Sequence, residues 1–254
     1  MLDRLIQADL YAIMLIFARF GSAMMVLPGL GQQTVPARVR LVLAIAVSLA
    51  AAPAVAPMVP KMPESVLSLV MIVLGEVVIG FFIGTLANIL ASALQIAGMI
   101  MAFQSNLASA TIFNPMLAQE VSAFGSMLAT MAMVLIFVTN LDHQAIAGLV
   151  DSYRLFAPGI VPDAQLMTGA LTRVVSDSFR LAVQLSAPFL VLSFVFNVGL
   201  GLLARMVPQM QVFFVGIPLQ ILGALAALAI SLSAGLGWFL QHYAGLFEQV
   251  MARQ

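Results

Sequence analysis

The sequence has no cysteine, and only 8% of its 254 residues are charged. The first absence removes disulfides, thiolate metal sites and cysteine nucleophiles. The second removes the soluble globular class, in which about a quarter of residues are charged. Ten basic residues balance ten acidic ones and are scattered along the chain, so no basic tract is offered to nucleic acid. There is no Ser-His-Asp arrangement, phosphate loop, zinc motif or carboxylate pair. Neither an enzyme nor a cofactor site is expected.

Apolar residues fill the space instead: 63% of the chain is hydrophobic, with a mean hydropathy of +1.11. Residues 77–119 and 206–247 contain no Asp, Glu, Lys or Arg. A bilayer crossing needs about 20 apolar residues, so each run is about twice the necessary length. Gly, Pro, Asn and Gln interrupt both runs where a plain anchor would carry Leu. The composition implies an integral membrane protein whose segments do more than anchor. Asp3 and Asp9 flank the lone early Arg4, unlike the positive start of a signal peptide. An uncleaved polytopic protein is expected.

Six hydrophobic segments follow from a pass along the chain. The first, residues 10–27, contains Arg19 and ends at Pro28-Gly29; a polar loop with Arg38 and Arg40 comes next. The second, 41–56, stops in the cluster Pro53, Pro57, Pro60 and Pro63, where backbone donors are missing. The third, 66–103, is too long for one straight crossing and is expected to bend near 95–98. Residues 103–119 read as an irregular loop, with Asn114-Pro115 as its turn. The fourth segment is 121–139. The fifth, 181–204, follows a mixed stretch holding Pro158, Pro162, Arg173 and Arg180. The sixth starts beyond Pro208, breaks near Gly216-Ile217-Pro218 and runs to about residue 240. The expected fold is an all-α membrane protein of about six hydrophobic helical units, several broken or hairpin-like. Arg38 and Arg40 favour a cytoplasmic first loop, but Arg154, Arg173 and Arg180 then fall on the opposite side under strict alternation.

Glu76, Gly80, Gly84, Asn88 and Ser92 recur every four residues, which lays them along one slowly winding line on a helix. Gly80 and Gly84 form a GxxxG motif that permits close backbone approach between membrane helices. Gly223, Ala227, Ser231 and Gly235 repeat the pattern in the last segment. Both ladders suit helix packing or a subunit interface. Glu76 is costly at mid-bilayer, about 2.5–3.5 kcal/mol on insertion scales, and so must face protein or water. It is either a proton relay or a buried hydrogen-bond partner. Gln95, Gln104, Ser105, Asn106 and Asn114 make the middle of the chain polar for membrane depth, amid Met99, Met101, Phe103, Leu107, Ile112, Phe113 and Met116. Such backbone is tolerated only inside protein or beside a watery cavity, and flexible Met with bulky Phe can close around varied shapes. Residues 103–119 are the candidate gate, against ordinary core packing. Asp142-His143 reads as a polar helix terminus, and Trp238, His242 and Tyr243 as an interfacial belt.

Four ordered segments resemble the FliR/SctT family of type III export-gate membrane proteins. The first runs from Arg19-Phe20-Gly21 through Leu27-Pro28 and Val35-Pro36-Ala37-Arg38-Val39-Arg40 to Ala52-Pro53. The second runs from Gly75-Glu76 through Gly80, Gly84 and Gln95-Ile96-Ala97-Gly98 to Gln104 and Asn114-Pro115. The third spans His143, Asp151-Ser152-Tyr153 and Pro158-Gly159. The fourth joins Ala187-Pro188, Asn197-Val198-Gly199, Arg205 to Phe213, and Gly216-Ile217-Pro218. The resemblance implies a single domain over 1–254, with about 1–160 FliP-like and about 161–254 FliQ-like. It implies assembly with FliP-like and FliQ-like subunits into a helical gate complex, raised toward the periplasm from the bacterial inner membrane, beside FlhB-like and FlhA-like components. Unfolded proteins would pass through, and membrane lipid would surround it. It also implies a plug loop matching Phe103, Gln104, Asn106, Leu107, Ala110, Ile112, Phe113, Asn114 and Pro115. A glycine is usual in the family at the position of Asn106, and an acidic residue is common at that of Asn114. The segments at 35–40 and 205–209 have the flagellar look.

Two other classes compete. A small-solute or ion secondary transporter would use a midplane site at Glu76, Asn88 and Gln95, but it predicts an internal duplication that the two halves do not show. A membrane enzyme or quinone-linked subunit would use Asp142 and His143, but it needs a second ionisable cluster that is missing.

Overall fold

A computed structural model describes residues 2–32, 35–106, 118–160, 163–206 and 212–251. Among them every regular element is helical: α1 (Leu2–Met24), α2 (Ala37–Val55) with a 3-10 turn at Ala56–Met58, α3 (Val66–Ala91), α4 (Ala93–Gln104), α5 (Ala118–Val138), α6 (Leu141–Leu155), α7 (Ala164–Met206) and α8 (Val212–Met251). Among the described residues, four stretches are long and apolar enough to cross a membrane: Ala37–Met58, Val66–Gln104, Ala164–Met206 and Gly216–Gly245. The bent pair α5–α6 makes a fifth if counted as one span, and Leu10–Met24 is a shorter apolar helix. The chain is an all-α membrane protein.

Several boundaries differ from the sequence reading. The long third segment breaks at Ser92, before the expected 95–98, where ψ is −13° instead of the helical value near −42°. The expected mixed stretch after residue 139 contains α6, a helix of its own. The fifth segment is only the apolar part of α7, which starts at Ala164. Asp163 accepts the Gln165 N–H at 2.9 Å and so starts the helix. The Thr168 and Thr172 hydroxyls donate to carbonyls four residues back. Hydropathy sees only the apolar portion, whereas backbone hydrogen bonding continues through the exposed Arg173, Asp177 and Arg180. The break expected at Gly216-Ile217-Pro218 is absent: α8 runs through Pro218. Proline removes one donor there, and membrane helices tolerate that loss.

At 1.5 Å per residue, the 43 residues of α7 span about 64 Å and the 40 of α8 about 60 Å. The hydrocarbon core is about 30 Å thick. Each is about twice as long as a perpendicular crossing requires.

The chain forms two compact units. The first comprises Met1–Leu90, Ile136–Val175 and Tyr243–Gln254; the second comprises Ala91–Leu135 and Ser176–His242. In the first unit, α3 lies directly on α1. A methyl group on Gly80 would overlap the Arg19 carbonyl and the Ser22 hydroxyl, and one on Gly84 would sit 2.7 Å from the Ala23 carbonyl oxygen. In the second unit, α4 meets α5 at Gly98 and Gly125, where a methyl on Gly98 would lie 2.8 Å from the Gly125 Cα. Hydroxyls inside the spans, such as Ser48, Thr85, Thr130 and Ser231, donate to carbonyls one turn back, so they cost little in an apolar setting.

Candidate functional site

Two polar centres are built inside the apolar chain, one in each unit. In the first, Arg19 on α1 is fully buried and Glu76 on α3 is 1% exposed. Arg19 Nε and Nη2 donate to the two carboxylate oxygens of Glu76 at 2.6 and 3.0 Å. Nη2 also donates to the Phe156 carbonyl at 2.9 Å, and Nη1 to Ser152 Oγ at 3.1 Å. The Tyr153 ring lies 3.7 Å beneath the guanidinium. One planar cation thus ties together α1, α3, α6 and the residue that ends α6, using the fork geometry that lysine lacks. Of the two readings of Glu76, the geometry is that of a buried partner, with both oxygens accepting from Arg19.

The second centre lies where α4 ends. The last carbonyls of a helix have no partner within it, and in an apolar surrounding each needs one. Here the Met101 carbonyl accepts from Ser105 N–H, Ala102 from Ser105 Oγ, and Phe103 from Asn106 N–H. The Gln104 carbonyl accepts from Gln220 Nε2 of α8 at 2.9 Å. A carbonyl can only accept, so the Gln220 amide nitrogen must face it. Its oxygen is thereby turned to Asn106, whose Nδ2 donates to it at 2.6 Å. Gln220 Nε2 also lies 3.5 Å from Ser193 Oγ on α7, which accepts from Asn197 Nδ2 at 3.1 Å. Gln220 is 1% exposed.

Asn106 has φ of +58°, the left-handed region that glycine, and next Asn, adopts after a helix end. Substituting Asn106 by Val is expected to destabilise the chain by about 1–2 kcal/mol. Substitution by Gly keeps the left-handed backbone without strain and should cost less, although it loses the side-chain bond to Gln220. Thermal melting of the two variants side by side checks this, and equal losses would remove the backbone argument.

The remaining candidates are distributed as follows. Phe103 is exposed and Gln104 half-buried; Leu107, Ala110, Ile112, Phe113, Asn114 and Pro115 lie outside the described residues. Asn88 and Gln95 are exposed. Gly223 faces the Phe196 ring at 3.3 Å and Gly235 faces Leu185 at 3.1 Å, both measured from an added methyl. Ala227 and Ser231 are half-buried, and the Ser231 hydroxyl donates to the Ala227 carbonyl. His143 Nδ1 lies 3.2 Å from Asp142 Oδ1 in the exposed first turn of α6. The His242 ring stands edge-on to Trp238. Among the described residues no three His, Asp or Glu side chains gather as a metal site would require. Sequence reasoning missed Gln220, Ser193 and Gly125. The available signal for Gln220 was an amide in the uncharged run 206–247, but that run also contains Gln209, Gln211 and Gln241 and nothing local separates them.

Residues 10–248 match the family model described as bacterial export proteins, family 1. The chain is 37% identical over 225 residues to the flagellar biosynthetic protein FliR of Caulobacter vibrioides, covering 89% of this chain and 90% of that one. It is 28% identical over 223 residues to FliR of Aquifex aeolicus, covering 88% and 86%. It is 29% identical over 174 residues to the secretion system apparatus protein SsaT of Salmonella typhimurium, covering 68% and 65%.

Proposed function

From the premise that this chain belongs to the FliR/SctT family of bacterial export proteins, we propose that it is the FliR-like subunit of a flagellar type III export gate in the bacterial inner membrane. The match across residues 10–248 carries this reading. The flagellar assignment is supported by the 37% identity to a flagellar relative, against 27–29% to relatives named for a secretion system or for Yop protein translocation. The subunit joins FliP-like and FliQ-like neighbours in a helical assembly, next to FlhB-like and FlhA-like components. Residues 1–160 take the FliP-like role and 161–254 the FliQ-like one. No covalent chemistry is involved: unfolded flagellar proteins pass through the assembled channel.

Physical support comes from three observations. Helices α7 and α8 are each about twice the length a bilayer needs, as expected for helices raised out of the membrane. Large apolar side chains such as Met206 (79% exposed) and Ile230 (80%) call for lipid or neighbouring subunits. The exposed face bearing Asn88 is the proposed place for such a neighbour, whereas Gly223 and Gly235 pack against α7 of this chain. Residues 103–115 form the plug, and the last four carbonyls of α4 before it all have partners, which suits a segment enclosed by protein. The transporter alternative gains nothing, since Glu76 gives both oxygens to Arg19.

Deleting part of residues 106–116 is expected to raise the resting leak of small ions through the assembled gate while some export continues. Ion-dependent growth and secretion of filament protein, measured together in a strain carrying the deletion, test it. An unchanged leak with intact assembly means these residues are not the plug.

A further inference from the structure

We propose that the outward side of α3 is a seam for one apolar helix of a neighbouring subunit, crossing it left-handedly and keyed by a hydrogen bond to Asn88. That a neighbour exists rests on the export-gate reading above; the position and register of the seam come from α3 itself.

Helix α3 has two sides. One is taken up within the chain, where Glu76 meets Arg19 and where Gly80 and Gly84 lie against the backbone of α1. The other carries Leu67 (73% exposed), Met71 (63%), Leu74 (53%), Val78 (50%) and Phe81 (56%). These stand 4, 3, 4 and 3 residues apart, and the exposed Asn88 comes seven beyond Phe81. A repeat of 3.5 residues stays in contact with a second helix when the pair winds left-handedly, with the axes crossing near about +20°.

Neither water nor lipid suits the whole seam. Water would accept Asn88 but not five large apolar side chains in line with it. Hydrocarbon would accept those five but offers nothing to an amide, and Asn88 lies well inside the apolar stretch Val66–Gln104. Its side chain makes no hydrogen bond among the described residues. A helix that is apolar along the seam, with one amide or hydroxyl side chain at the level of Asn88, meets both demands. A single polar residue in such a seam also fixes the register of the two helices. The adjacent Thr85 does not compete for the partner's acceptor, because its hydroxyl donates to the Phe81 carbonyl.

The test uses the full chain in the assembled complex. A short photoactivatable diazirine side chain is placed singly at positions 70, 71, 74, 77, 78 and 81. Crosslinks to one neighbouring subunit should be about threefold stronger or more at 71, 74, 78 and 81 than at 70 and 77, which flank the seam. Asn88→Leu should lower the fraction of chain recovered with its neighbours about threefold to tenfold, the range for one interhelical hydrogen bond in a membrane. Because Asn88 is exposed and unbonded within the chain, membrane abundance of that variant should stay at the parent level. Asn88→Gln keeps a donor and an acceptor and should retain most of the assembly.

Even crosslinking across 70–81, or crosslinks to lipid or to a second copy of this chain, overturn the seam while leaving the export-gate reading intact. Asn88→Leu that assembles like the parent overturns the key. A parent chain that captures no neighbouring subunit overturns the export-gate reading and the seam with it.

Discussion

Replacing Arg19 by leucine is expected to destabilise the protein by about 3–5 kcal/mol, the cost of leaving a buried carboxylate unpaired. Glu76 is 1% exposed and would face an apolar surround with its two strongest donors gone. Ser152 and the Phe156 carbonyl would lose donors as well. The double variant Arg19→Leu with Glu76→Leu should recover much of the loss, because apolar side chains of similar volume commonly replace a buried ion pair at little cost. Arg19→Lys should fall between, since an ammonium cannot reach two carboxylate oxygens, a hydroxyl and a carbonyl in one plane. Thermal midpoint and membrane abundance of the four forms give the answer. A double variant as unstable as Arg19→Leu would mean that the cation's other contacts dominate, and the pair itself matters little.

Gly80→Ala should be nearly as damaging, at about 3 kcal/mol, the upper end for inserting a methyl into close packing. The added carbon would overlap the Arg19 carbonyl, a backbone atom that cannot rotate aside. Separating α1 from α3 would also draw Arg19 away from Glu76, so packing and ion pair should fail together. Gly75 on the same helix provides the control, since an added methyl there meets nothing within 4 Å. Gly75→Ala should leave the chain as stable or gain up to about 1 kcal/mol from helix propensity. If both variants melt alike, close approach at Gly80 is not what seats α3 on α1. A Gly75→Ala variant that folds normally but fails to assemble would locate a neighbouring subunit on that face.

Much of this was legible in the sequence for reasons that are local. The ladder Gly80–Gly84 shows as a spacing of four, and a close helix approach needs small residues at that spacing whatever the partner. The left-handed backbone of Asn106 was not legible, since the sequence shows only one more polar residue in a stretch that reads as an irregular loop from 103 onward. The polar first third of α7 was not legible: hydropathy identifies what lipid accepts, whereas a helix continues wherever its backbone bonds do. Pro218 misled for a related reason, because a single missing donor weakens a membrane helix without ending it.

By itself the sequence determined the solvent, the helical class and the family, since all three follow from composition and from motifs in order along the chain. Only the tertiary structure decided the polar partners. Arg19 finds Glu76 across 57 residues and Gln220 finds Gln104 across 116. A hydrogen bond is made by position and direction in space, and for residues so far apart no periodicity in the chain encodes either.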